Sequence, residues 1–254
     1  MPIASRNGVA FHLQQLGDNP HGPGVVMLHG LLVGSLATWY FTAAPALARA
    51  HRVLLYDLRG HGKSERTKTG YDMATMEADL AAIVADFSAE PVVLVGHSYG
   101  AVVALRFALE HPERVAKLVL VEAPLPPKNL AELDSFLGKS PEVMAESLPA
   151  ALRDALGRRG RQAAKLVDSL RFLATESSLF QDLARAEDID DARLASLQCP
   201  LLSVYGTHSS CLPVGRRIAK VLPRARSIEL EGGHFLPTEA AGALTAAIVG
   251  FVDG

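Results

Sequence analysis

The chain is poor in cysteine: only Cys199 and Cys211 occur among 254 residues. A disulfide framework needs more, and the two show neither metal-binding nor redox spacing. Excess charge is lacking too. Lys+Arg total 25 against 27 Asp+Glu, a formal charge of -2, with pI ≈ 6.5. A nucleic-acid partner normally requires a basic excess, so none is expected. The longest apolar stretch, AGALTAAIVGFV at 241–252, falls short of the roughly 20 residues that span a bilayer. The opening MPIASRNGVAF has no basic segment followed by an apolar one, so no signal peptide is expected. Internal repeats and low-complexity segments are absent. These absences predict a reduced, cytoplasmic protein without a membrane span.

What is present is a globular pattern. Hydrophobic residues make up 49% and charged residues 20%, which excludes a disordered chain. Ile3 to Leu16 predicts a hairpin turned at Asn7-Gly8. Short apolar runs follow at 25–29, 52–57, 91–97, 117–122, 200–206 and 227–232. Such runs suit strands buried on both faces of a parallel sheet. Helical patterns lie between them near 36–50, 72–88, 99–110 and 214–222, with a last one near 238–252. The alternation predicts an α/β fold: a doubly wound, mostly parallel eight-stranded sheet.

Residues 125–197 break the alternation. Leu130, Leu133, Phe136 and Leu137, then Leu166, Leu170 and Leu173, keep a helical period. This stretch is expected to be an all-helical lid inserted into a core made of 1–124 and 198–254.

Gly96-His97-Ser98-Tyr99-Gly100 follows the apolar run VVLV and precedes a helical pattern. This is G-x-S-x-G in strand–turn–helix context, with Ser98 at the apex of a tight turn. A serine hydroxyl needs a base. Of nine histidines, His234 in EGGHF sits between the last strand and the last helix, in a glycine-rich loop able to reach the sheet edge. Gly62-Lys63-Ser64 imitates the end of a phosphate loop, but Asp57 stands where that motif needs its first glycine. The block is expected to be a structural turn held by Asp57 and Arg59.

Four blocks in order, LHGLL (28–32), YDLRGHGKS (56–64), GHSYG (96–100) and EGGHF (231–235), resemble the α/β-hydrolase superfamily. The resemblance implies a serine nucleophile at Ser98, a base at His234, and an oxyanion hole from the backbone N–H groups of Leu31 and Tyr99. In most of the family the triad acid follows the seventh strand in G-x-x-D-x-x-x-P. Here Gly206 and Pro213 fit that pattern, and Ser209 occupies the acid position. Glu122, ending the sixth predicted strand, is the expected substitute, as the resemblance to some haloalkane dehalogenases implies, with a Ser–His dyad or a water in place of the acid as the alternatives. Those dehalogenases and the epoxide hydrolases use Asp as nucleophile, so Ser98 argues against their reactions.

The resemblance therefore implies a serine hydrolase cleaving a carboxylic ester, thioester or lactone through an acyl-enzyme. Acyl transfer or cyclisation, carbon–carbon bond hydrolysis, perhydrolysis, and noncatalytic ligand binding on a hydrolase scaffold remain open. No metal or organic cofactor is implied, because no ligand cluster appears in the sequence. The expected partner is a small acyl substrate. Arg153, Arg158, Arg159, Arg161, Lys165 and Arg171, against Asp154 and Asp168, leave room for a carrier-protein or coenzyme A thioester. Trp39, Phe136 and Phe172 are candidates to line the pocket, with a core role for Trp39 and packing of the lid on itself for the two phenylalanines as the alternatives. Oligomeric state is not legible.

Overall fold

The computed structural model describes residues 3–19, 22–126, 139–147 and 160–254. Eight strands form one sheet: β1 (Ile3–Arg6), β2 (Val9–Leu16), β3 (Val25–Leu28), β4 (Val53–Tyr56), β5 (Val92–His97), β6 (Val115–Val121), β7 (Leu201–Gly206) and β8 (Arg226–Leu230). Their order is β1-β2-β4-β3-β5-β6-β7-β8. The β1–β2 and β2–β4 pairs are antiparallel, and the remaining pairs are parallel.

Side-chain alternation divides the core. Val25, Met27, Val93, Val95, Val119 and Val121 face one side, while Val26, Leu28, Leu94, Leu118 and Leu120 face the other. Both sides are buried, which is why these strands read as unbroken apolar runs. The first side packs against two four-residue helices, α1 (Ala37–Tyr40) and α2 (Ala44–Leu47), and against the C-terminal helix 241–252, which presents Leu244, Ile248 and Val252. The second is covered by α3 (Met73–Phe87) and α4 (Tyr99–Glu110). Asp72 starts α3 by accepting a hydrogen bond from Thr75 N at 3.0 Å.

The single helix expected near 36–50 is two short ones. Pro45, in the first turn of α2, cannot donate to the preceding turn and would clash within a continuous helix. Between 125 and 197 every described regular element is helical: α5 (Pro141–Glu146), α6 (Gly160–Arg171), a π turn at Phe172–Glu176, α7 (Leu179–Ala184) and α8 (Asp191–Ala195). The helical repeat from Leu130 to Leu137 lies outside the described residues. After β7 come α9 (Leu212–Val221), α10 (Leu236–Glu239) and α11 (Ala241–Val252).

The predicted turn after β4 is a buried polar knot. Asp57 accepts from Leu36 N (2.7 Å) and Lys63 N (2.9 Å), and bonds His12 Nδ1 at 2.7 Å. Arg59 donates twice to Asp79, at 2.7 and 2.8 Å. Both side chains are thus committed to holding the loop.

Candidate active site

β5 delivers its last residue, His97, and the chain turns sharply at Ser98, which has φ 53° and ψ -125°. A non-glycine residue rarely takes such an angle, and this one is held by Ser98 N donating to Val121 O at 2.8 Å. The flanking glycines are required. A Cβ on Gly96 would overlap the Ala101 backbone, and one on Gly100 the His29 carbonyl.

Ser98 occupies the N-cap of α4, where serine usually caps the helix with its own hydroxyl. It makes no such bond. Its Oγ instead lies 2.9 Å from Nε2 of His234. The cap's stabilisation is forgone, and the hydroxyl is aimed at an imidazole.

His234 is carried by the loop between β8 and α10. His97 holds that loop by donating Nε2–H to the His234 carbonyl at 2.8 Å. Burial lowers the His97 pKa to about 3, so its ring is a neutral donor. Trp39 stands behind it, with ring centroids 6.5 Å apart. The Trp39 side chain is fully buried and donates its indole N–H to Leu28 O at 2.8 Å. Of the two roles open to Trp39, pocket lining and core packing, this placement is the core one. Trp39 is a core residue that backs His97, because its one polar atom is committed to the sheet.

The other imidazole nitrogen, Nδ1, lies 3.2 Å from Glu122 Oε2 and 3.6 Å from Cys211 Sγ. Burial disfavours the imidazolium, but Cys211 and Glu122 on that edge outweigh it and raise the His234 pKa. Glu122 is wholly buried and has φ 56°. Its Oε1 accepts from Gly206 N, and its Oε2 also accepts from Ser209 Oγ. Ser209 Oγ in turn accepts from Cys211 N at 3.0 Å. Ser209, in the position where the family pattern has Asp, is thus a support for the carboxylate arriving from β6.

The loop after β3 reaches the opposite side of Ser98. Two buried histidines set its shape. His29 donates Nδ1–H to Gly30 O (2.7 Å) and accepts Leu58 N–H at Nε2 (3.0 Å). His61 donates Nδ1–H to Arg59 O (2.8 Å) and accepts Leu32 N–H at Nε2 (2.9 Å). Leu32 takes φ 67° there, so the backbone turns at the residue after Leu31. Leu31 is partly buried, and Tyr99 opens α4, where first-turn N–H groups have no intrahelical acceptor.

Phe172 is buried in the core, with the Arg66 guanidinium 5.4 Å from its ring centroid. A packing role is what this shows. Phe136 lies outside the described residues, as do Arg153, Arg158, Arg159 and the side chain of Arg161. Lys165 and Arg171 are exposed, and Arg171 pairs with Glu142 at 2.6 Å.

The sequence shows no ligand cluster, yet the fold builds one. Glu122, Cys211 and His234 bring one carboxylate oxygen, one sulfur and one ring nitrogen within 4.8 Å of each other. Sequence reasoning missed Cys211. Its one signal was position, two residues beyond the vacated acid slot.

The α/β hydrolase fold family model matches residues 23–241. The chain belongs to the α/β-hydrolase family. Among curated relatives, "Putative carbamate hydrolase RutD" of Variovorax paradoxus (strain S110) is 34% identical over 238 residues, covering 85% of each chain. "Epoxide hydrolase A" of Mycobacterium tuberculosis is 36% identical over 129 residues, covering 50% of this chain and 39% of that one. Among solved structures, the enol-lactonase from Burkholderia xenovorans LB400 superposes with a TM-score of 0.81 at 23% identity and covers 100% of both chains. At that identity the likeness concerns the fold. Family and relatives together make this α/β hydrolase an enzyme that acts on a small molecule. Among the described residues no helix is long and apolar enough to cross a membrane.

Proposed function

We propose that this α/β hydrolase is a serine hydrolase that cleaves a carboxylic ester, thioester or lactone through an acyl-enzyme. The observation that carries the reading is the 2.9 Å contact between Ser98 Oγ, on its strained turn, and His234 Nε2. Ser98 Oγ bonds to the acyl carbon while its proton passes to Nε2. Glu122 holds Nδ1–H and stabilises the imidazolium that forms. The Leu31 and Tyr99 N–H groups donate to the oxyanion; losing one such donor typically costs about 2.7–4 kcal/mol of barrier stabilisation. His234 then returns its proton to the leaving group. Water, deprotonated by the same nitrogen, releases the acyl group and restores Ser98.

Residues 125–197 serve in this reading as a lid on a core of 1–124 and 198–254. The name of the carbamate hydrolase relative adds carbamates to the acyl compounds worth testing. A serine, with no carboxylate at the elbow, sets epoxide opening aside.

A fluorophosphonate probe should label the wild type at Ser98. Labelling should vanish in Ser98→Ala and fall steeply in His234→Gln, with both variants keeping the wild-type circular dichroism. Equal labelling of Ser98→Ala would overturn the reading. A panel of esters, thioesters, lactones and carbamates then identifies the acyl class.

A further inference from the structure

We propose that Glu122, Cys211 and His234 form a binding site for one thiophilic divalent cation of the zinc class, and that its occupancy switches the base off. Zinc bonds sulfur at about 2.3 Å and nitrogen or oxygen at about 2.0–2.2 Å, so tetrahedral neighbours lie roughly 3.3–3.6 Å apart. The structure has Nδ1 at 3.2 Å from the Glu122 oxygen and at 3.6 Å from the Cys211 sulfur. The carboxylate and thiol are buried, while the His234 side chain is 24% exposed.

Charge fits as well as distance. A carboxylate and a thiolate neutralise a divalent ion, so the loaded site buries no net charge, and the imidazole binds neutral. The bond that the ion would replace is not a strong one. Charge-assisted N–H···O bonds usually run about 2.7–2.9 Å, shorter than the 3.2 Å between Nδ1 and Glu122. Cys199, the other cysteine, lies outside this cluster. Thiolate ligation selects soft cations over magnesium and calcium.

The consequence for turnover rests on the serine-hydrolase reading; binding of the ion does not. In the working tautomer the ring proton is on Nδ1, and Nε2 accepts from Ser98. A cation on Nδ1 takes that lone pair, so the ring's single proton moves to Nε2. Nε2 then donates to Ser98 Oγ and can no longer accept its proton. The thiol proton of Cys211, together with the extra proton of any His234 imidazolium, leaves to solvent as the ion binds.

Cobalt(II) provides a direct readout. Titrating the chelator-treated protein should give one ion per chain and a near-ultraviolet thiolate-to-cobalt band. The band should persist in Cys199→Ser and vanish in Cys211→Ser and Cys211→Ala. Affinity should fall roughly 100-fold in both Cys211 variants and in His234→Gln, at least the loss typical of disturbing a metal site's supporting shell. In parallel, zinc should suppress fluorophosphonate labelling of the wild type, a chelator should restore it, and magnesium should have no effect. The site is disproved by absence of cobalt binding, by a band surviving in Cys211→Ala, or by a band lost in Cys199→Ser. A protein that binds cobalt in this way but never labels at Ser98 would retain the site and refute the hydrolase reading instead.

Discussion

Two residues just past the ends of neighbouring strands divide one task. Glu122 leaves β6 at φ 56° and reaches His234 from a fully buried position. Ser209, after β7, donates to that carboxylate and braces Cys211 N. An aspartate at 209 would place a second carboxylate against Glu122, and two buried like charges in contact are unfavourable. The serine is thus the partner that a β6 acid requires. Glu122→Gln should keep the fold, since the amide oxygen can still accept from Gly206 N. It should lower kcat by roughly 10³–10⁴-fold, because an amide no longer fixes the tautomer or stabilises the imidazolium. Ser209→Asp alone should lower both activity and stability. Glu122→Gln combined with Ser209→Asp should recover at least ten-fold over Glu122→Gln, as steady-state rates on any accepted ester will show. Failure of the double variant to exceed Glu122→Gln would mean that the β7 position cannot reach His234. Ser98, His234 and Glu122 were legible because each ends or follows an apolar run that fixes its place at one sheet edge. Cys211 was not. Its nearness to His234 depends on how the turn after β7 closes, and single residue types carry no signal for that.

At the scale of elements, the loop after β3 shows what buried neutral histidines do. His61 has its pKa lowered to about 3, by burial first and by neighbouring His29 second. His29 is also lowered, chiefly by burial. In the unfolded chain both return to about 6.5. Below that value the unfolded state binds protons that the folded state refuses, so stability falls as pH drops from about 6.5 towards 3. Each ring contributes a slope of up to about 1.4 kcal/mol per pH unit. Urea unfolding should therefore show a lower midpoint at pH 5 than at pH 7. His61→Gln, whose amide oxygen can still accept Leu32 N–H, should show a shallower decline even if its stability at pH 7 is lower. A midpoint independent of pH over that range would contradict the buried neutral pair. Most elements were visible in the sequence because strands buried on both faces are apolar throughout. The stretch near 36–50 reads as helical throughout, and Pro45 divides it into two pieces. Periodicity reports which side a residue faces and says nothing of a missing N–H.

For the whole molecule, the helical segment between β6 and β7 is tied to the rest of the chain by polar and apolar contacts. Its C-terminal part is pinned by Arg217 on α9. That guanidinium donates to Asp191 at 2.7 Å and to the Ile189 carbonyl at 2.8 Å, and lies 3.4 Å from Asp188. A second tie joins Ser178 N to Lys68 O at 2.8 Å, beside Tyr71 N donating to Asp182 at 3.2 Å. These contacts are polar and partly solvent-exposed, each worth little alone. Apolar packing adds a larger tie, because Leu170, Leu173, Leu179, Leu183 and Leu194 are buried in the same cluster as the second face of the sheet. Charge patterning in the sequence gave no sign of this anchor, since Arg217 lies 26 residues from Asp191 and on the far side of β7. Loss of a polar tie at the edge of a packed segment loosens that segment locally before the core opens. Arg217→Ala should therefore cost only about 1 kcal/mol of global stability, because three exposed or half-exposed bonds are lost while the apolar layers are untouched. Its larger effect should be local. Hydrogen exchange should quicken across 179–195, with β3, β5 and β6 exchanging as in the wild type. If protection fell equally in the sheet strands, the insertion and the sheet would be one cooperative unit, and the insertion could not move as a lid without unfolding the site beneath it.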